Sequence, residues 1–120
     1  FTEALLRGIG CNWLVCLAVF AAAASTETIG KIAALWFPTM AFVALGMEHC
    51  IANMFFIPLG ILTGTDPRYI ALVEAGKAAA LKADFYSFAV GNLIPVTIGN
   101  IIGGSVLVGM LYLAANIKKA

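Results

Sequence analysis

The stretch Gly46-Met47-Glu48-His49-Cys50-Ile51-Ala52-Asn53-Met54 sets a glutamate, a histidine and an asparagine in the middle of a run otherwise suited to lipid. Ionisable groups at membrane depth are costly, so where they occur they line a pathway or a binding site rather than face acyl chains. The uncharged windows on either side run from Ile32 to Met47 and from Cys50 to Thr65. At a rise of about 1.5 Å per residue, neither window crosses a hydrocarbon core of about 30 Å alone, and together they do. The stretch therefore predicts one discontinuous span over about residues 30–63, broken near 44–48. Gly46 frees the backbone to leave the helix, and Pro38 and Pro58 allow bends.

Working outward, Gly8 to Thr26 carries no charge and predicts a first span over about 5–25. Glu27 and Lys31 bracket a short polar turn. Thr65-Asp66-Pro67-Arg68 reads as another turn. Residues 69–84 are weakly amphipathic and predict an interfacial helix. Phe85 to Ile117 is uncharged and predicts a last span over about 90–116, ending at Lys118-Lys119. The expectation is an all-α integral membrane chain of three crossings with the middle one broken. Non-helical backbone at that depth is tolerated only where protein or a water-filled cavity covers it, so the break implies partners. Loop charges leave the orientation open: Lys31, Lys118 and Lys119 face one side, and Arg7, Arg68, Lys77 and Lys82 the other.

Composition agrees. Of 120 residues, 62% are hydrophobic and 11% charged, where a soluble domain carries about 25% charged. A net charge of +1 offers no basic face for nucleic acid. Cys11, Cys16 and Cys50 lie in apolar runs without zinc-site spacing and read as small buried hydrophobes. Glu48, His49 and Cys50 are adjacent, so on a helix they project about 100° apart and do not converge on a metal ion. No metal or cofactor is expected. No basic segment with a small-residue cleavage site opens the chain, and its start at Phe1, close to a hydrophobic segment, suggests a piece of a longer protein. There is no phosphate loop, triad or carboxylate pair, so nothing requires an enzyme.

His49 opens the second half-helix. Free N–H groups at such an end carry partial positive charge and suit an anion. A histidine there donates hydrogen bonds and titrates near neutral pH. Glu48 would favour its protonated form at close range, against burial. The plainer reading is a hydrogen-bonded histidine between helices. Asn53 lies four residues on, on the same helix face; Asn92 and Asn100 bracket the opening of the last span. Buried amides need partners, so Asn53 and Asn100 read as interhelical hydrogen bonders, while for Asn12 a pathway role stands equally. Phe42, seven residues before His49, is either a constriction that strips water from an ion or ordinary packing. Gly60 with Gly64 and Gly99 with Gly103 have the small-xxx-small spacing that lets helices approach closely.

Two motifs resemble a known family. One is Glu48-His49-Cys50-Ile51-Ala52-Asn53-Met54-Phe55-Phe56-Ile57-Pro58-Leu59-Gly60. The other is Gly91-Asn92-Leu93-Ile94-Pro95-Val96-Thr97-Ile98-Gly99-Asn100-Ile101-Ile102-Gly103-Gly104. With Asn12 and Leu14-Val15-Cys16-Leu17-Ala18-Val19, they resemble the C-terminal half of the formate/nitrite transporter family, the formate channels above all. The resemblance implies an aquaporin-like fold: six spans per protomer in two inverted three-helix repeats, and a homopentamer with one pore per protomer. Residues 1–120 would hold spans four to six and lack the N-terminal half. Lys118-Lys119 would lie in the cytoplasm of a prokaryotic cell. His49 would be the central pore histidine with Asn12 opposite. Phe42 would belong to the outward constriction, Val15 to the inward one, and Glu48 would support the histidine. Cys50 departs from the family's usual Ser. The implied function is passage of small monovalent anions, formate first, with nitrite or hydrosulfide as alternatives. A rival is a non-transporting anchor or assembly subunit; another is a half-size transporter acting as an inverted dimer.

Overall fold

The computed structural model describes residues 1–71 and 84–117. Its elements are α1 (Thr2–Ala24), α2 (Thr28–Ala44), α3 (Cys50–Thr63), the single turn α4 (Pro67–Ile70) and the long α5 (Phe85–Ile117). Among the described residues there is no strand. α1 and α5 are each long and apolar enough to cross a bilayer, and α2 and α3 are not. Most of the helix expected over 69–84, and Lys118-Lys119, lie outside the described residues.

Local chemistry sets the ends. α1 opens with Glu3 and Arg7 one turn apart and paired at 2.6 Å, the spacing that supports a helix. Asp84 caps α5: its carboxylate accepts the Ser87 N–H at 2.7 Å, and this bond holds the Asp84 carboxyl below the usual carboxylate range. In the turn after α3, Asp66 accepts the backbone N–H of Arg68 at 2.9 Å and its guanidinium at 2.7 Å. That pairing holds Asp66 low as well.

Glycines bring α1 and α5 together. A Cβ at Gly99 would run into the Leu5 carbonyl, and one at Gly103 into the Ile9 carbonyl. A Cβ at Gly8 would sit 2.8 Å from the Val96 carbonyl oxygen. Further along, the rings of Phe20 and Tyr112 stack with centroids 4.4 Å apart. The register rises together on both helices, so α1 and α5 run parallel with their backbones in contact. The Gly99-Gly103 spacing is thus used as expected. Among the described residues nothing lies within 4 Å of the Cβ position at Gly60. The buried apolar core is small, formed by Cys11, Ala18, Val96 and Val108. Two segments of α5, Phe88–Leu93 and Ile102–Met110, are wound as π-helix. Such winding occurs mostly as short bulges and often near functional sites.

The middle crossing breaks near Gly46–Glu48, as its sequence predicts. α2 ends in a tight reversal of its last carbonyls. Gly46, at φ 63°, donates its N–H to the Val43 carbonyl, and Met47 donates to the Phe42 carbonyl, both at 3.0 Å. This is a Schellman cap, and it needs a residue comfortable in the left-handed region. The chain then runs non-helically through Met47, Glu48 and His49, and the helix restarts at Cys50. The break is level with Asn100, which lies 15 positions after Phe85 and 17 before Ile117. It therefore sits at the middle of the long helix that measures the depth of the fold.

Candidate functional site at the helix break

Asn100 organises the break. It is 5% exposed, a buried amide with every polar atom in use. Its Oδ1 accepts the Cys50 N–H at 3.0 Å. Its Nδ2 donates to the Glu48 carbonyl at 3.0 Å and to the Gly8 carbonyl at 2.9 Å. One side chain on α5 thus fixes the peptide groups flanking His49 and ties them to α1. Asn12 adds a second bond, donating from Nδ2 to the Asn100 carbonyl at 2.6 Å.

A second polar cluster lies one turn away. Asn53 Nδ2 donates to Glu48 Oε2 at 2.5 Å and to Asn92 Oδ1 at 2.8 Å. Asn92 Nδ2 donates to the same Glu48 oxygen at 3.2 Å. The carboxylate therefore receives two amide donors from α3 and α5, a charge-assisted arrangement stronger than a neutral one. Among the described residues Glu48 forms no ion pair with His49.

His49 flanks the start of α3 with an extended backbone, φ −115° and ψ 116°. Its Nδ1 is buried and, among the described residues, has no hydrogen-bond partner. Most buried polar atoms in proteins have a partner, which sets this ring nitrogen apart. The Phe42 ring stands beside it, centroids 6.2 Å apart and tilted by 35°. The reversal at Gly46 brings these two residues together across seven positions of sequence. Val15 is half-buried on α1, three positions after Asn12 and so on a neighbouring part of the same face.

The half-helix end is less open than sequence suggests. The Cys50 N–H, the first of α3, is taken by Asn100, and the Asn53 N–H returns to the His49 carbonyl at 2.9 Å. Arg7 is the residue that sequence reading counted only as a loop charge. Its carbonyl accepts the Glu48 N–H at 3.4 Å, and its guanidinium donates to the Gly46 carbonyl at 3.2 Å. The available signal was the Glu3/Arg7 pair set just before an uncharged run. Among the described residues no three metal-ligating side chains gather.

An all-helical membrane protein of aquaporin-like fold, with its middle crossing broken at mid-depth around a histidine, is the class this architecture defines. Residues 1–114 match the family described as formate/nitrite transporter. The chain is 46% identical over 119 residues to a probable formate transporter of Methanothermobacter thermautotrophicus, covering 99% of this chain and 37% of that one. It is 42% identical over 114 residues to the formate channel FocA of Escherichia coli, covering 93% and 40%. Among solved structures, a pentameric formate channel with formate bound superimposes with a TM-score of 0.79 at 41% identity. That match covers 95% of this chain and 46% of the channel's. The chain belongs to the formate/nitrite transporter family. It spans about two fifths of the length of the curated relatives it matches.

Proposed function

We propose that this chain is the C-terminal half of a channel for small monovalent acid anions, formate first, in which His49 hydrogen-bonds the passing anion. The observation that carries the reading is the buried Nδ1 of His49 at a mid-depth break, without a partner among the described residues, beside the ring of Phe42. A small carboxylate matches it: it accepts hydrogen bonds, and it accepts a proton. Family membership supports the same reading.

The mechanism follows from the side chains. Phe42 and Val15 narrow the path and strip water from the anion. The imidazole replaces that lost hydration with an N–H donor. When protonated, His49 transfers its ring proton to a carboxylate oxygen, leaving a neutral imidazole and a neutral acid. The neutral acid crosses the apolar constriction at much lower cost than the anion. The imidazole then takes a proton from the side that supplied the first. Asn12 lines the path opposite. Glu48, Asn53, Asn92 and Asn100 hold the break in shape. The rest of the protomer, from the same polypeptide, closes each constriction, and five protomers assemble. The C-terminus lies in the cytoplasm of a prokaryotic cell. Nothing in this scheme is enzymatic.

The test is flux in proteoliposomes holding the full-length protein. Formate should equilibrate rapidly and faster as pH falls. A similarly small anion of a strong acid, which cannot accept the proton, should cross poorly. Absence of flux for formate, nitrite and hydrosulfide alike would leave an anchor or assembly subunit as the answer.

A further inference from the structure

We infer that Arg7 is a positioning residue of the pathway, capping the carbonyl end of the first half-helix so that the His49 segment stays fixed at mid-depth. The inference rests on the reading of that segment as the anion site. Gly8 lies against Val96 and Asn100, so its neighbour Arg7 is level with the middle of α5. A guanidinium at that depth is costly unless something specific holds it there. Two groups do. Its NH2 meets Glu3 Oε1 at 2.6 Å, and its NH1 donates to the Gly46 carbonyl at 3.2 Å.

Gly46 is the residue that ends α2. The Schellman cap satisfies the Val43 and Phe42 carbonyls, and the Gly46 carbonyl just beyond them takes Arg7 instead. The end of a helix carries partial negative charge from its aligned carbonyls. Exposed at mid-depth beside a path for anions, that charge would repel the cargo. Arg7 neutralises it and at the same time ties the break to α1. The backbone of Arg7 adds to the tie, accepting the Glu48 N–H. The segment from Gly46 to Cys50 is thus held at its near end by Arg7 and at its far end by Asn100.

Glu3 could be the whole reason for Arg7, a counter-ion and nothing more. The experiment separates the two roles. Full-length protein is made as wild type, R7K, R7M, E3Q and the double variant R7M/E3Q. Pentamer assembly is checked, formate flux is measured in proteoliposomes, and amide exchange is followed at Gly46 to Glu48. Under the inference R7K, which keeps the charge, stays within about threefold of wild-type flux. R7M and R7M/E3Q lose about tenfold or more and exchange faster at the break. E3Q keeps both flux and slow exchange, because the guanidinium still reaches Gly46. Wild-type flux in R7M/E3Q would overturn the inference, since Arg7 would then serve only Glu3. So would loss of flux and protection in an assembled E3Q pentamer, which decides the matter if R7M does not assemble. A wild type that carries no formate sinks the transport reading instead, while the exchange data still report on Arg7.

Discussion

The side-chain oxygen of Asn100 accepts the backbone N–H of Cys50 at 3.0 Å, so a residue of the last helix supplies the cap for the first amide of the half-helix after His49. The same amide's nitrogen bonds the Glu48 carbonyl. His49 lies between these two anchored peptide groups, and among the described residues no hydrogen bond reaches its Nδ1.

Asn100→Ala should therefore be among the most damaging substitutions in the chain. It strands the Cys50 N–H and the Glu48 carbonyl in a low-dielectric site and removes a second donor from the Gly8 carbonyl, which keeps its helical bond. Each orphaned group costs about 1–3 kcal/mol in a protein interior, though hydrogen bonds in membranes average nearer 0.6. A loss of about 2 kcal/mol is the expected outcome, read from denaturant unfolding of the full-length assembly in detergent. Unchanged stability would mean that water or another group takes over these bonds.

Asn53→Asp tests the second cluster through pH. Asn53 now donates to Glu48 at 2.5 Å; a carboxyl there would share one proton with Glu48. While one proton is shared the contact survives; once both carboxylates are charged they repel. The variant should assemble at pH about 5 and lose assembly as pH rises towards 8, measured by size-exclusion chromatography. Asn53→Ala should weaken assembly equally at both pH values.

Two glycine substitutions should part company. Gly103→Ala drives a methyl group into the Ile9 carbonyl of α1, and overpacking of this kind costs about 1–3 kcal/mol. Gly60→Ala meets none of the described residues and should be neutral or slightly stabilising, since Ala favours a helix over Gly by about 0.5–1 kcal/mol. Thermal unfolding of the two variants side by side gives the comparison.

These cases also say what the sequence could reveal. The break near Gly46–Glu48 was legible because charge and window length are local properties: two apolar windows too short to span flank Glu48 and His49. Gly46 was legible because a sharp helix end needs a residue at home at positive φ. The choice between Gly99-Gly103 and Gly60-Gly64 was not, because both have the same spacing and only packing against α1 distinguishes them. That Asn53 and Asn100 would make interhelical bonds was evident from burial. That Asn100 would cap α3 across 50 positions was not, because tertiary structure chooses a buried amide's partners. Arg7 escaped notice because a charge at the rim of an uncharged window looks like the boundary of a span. The π winding of α5 left no residue pattern to read.

The account's central claim is that the imidazole of His49 meets the anion and can give it a proton. The most direct measurement is the pH dependence of formate flux through the full-length protein in proteoliposomes, wild type against His49→Asn and His49→Phe. Wild-type flux should rise several-fold as pH falls from about 8 to about 5, and both variants should lose that rise while still assembling. A variant that keeps the wild-type pH profile would contradict the claim.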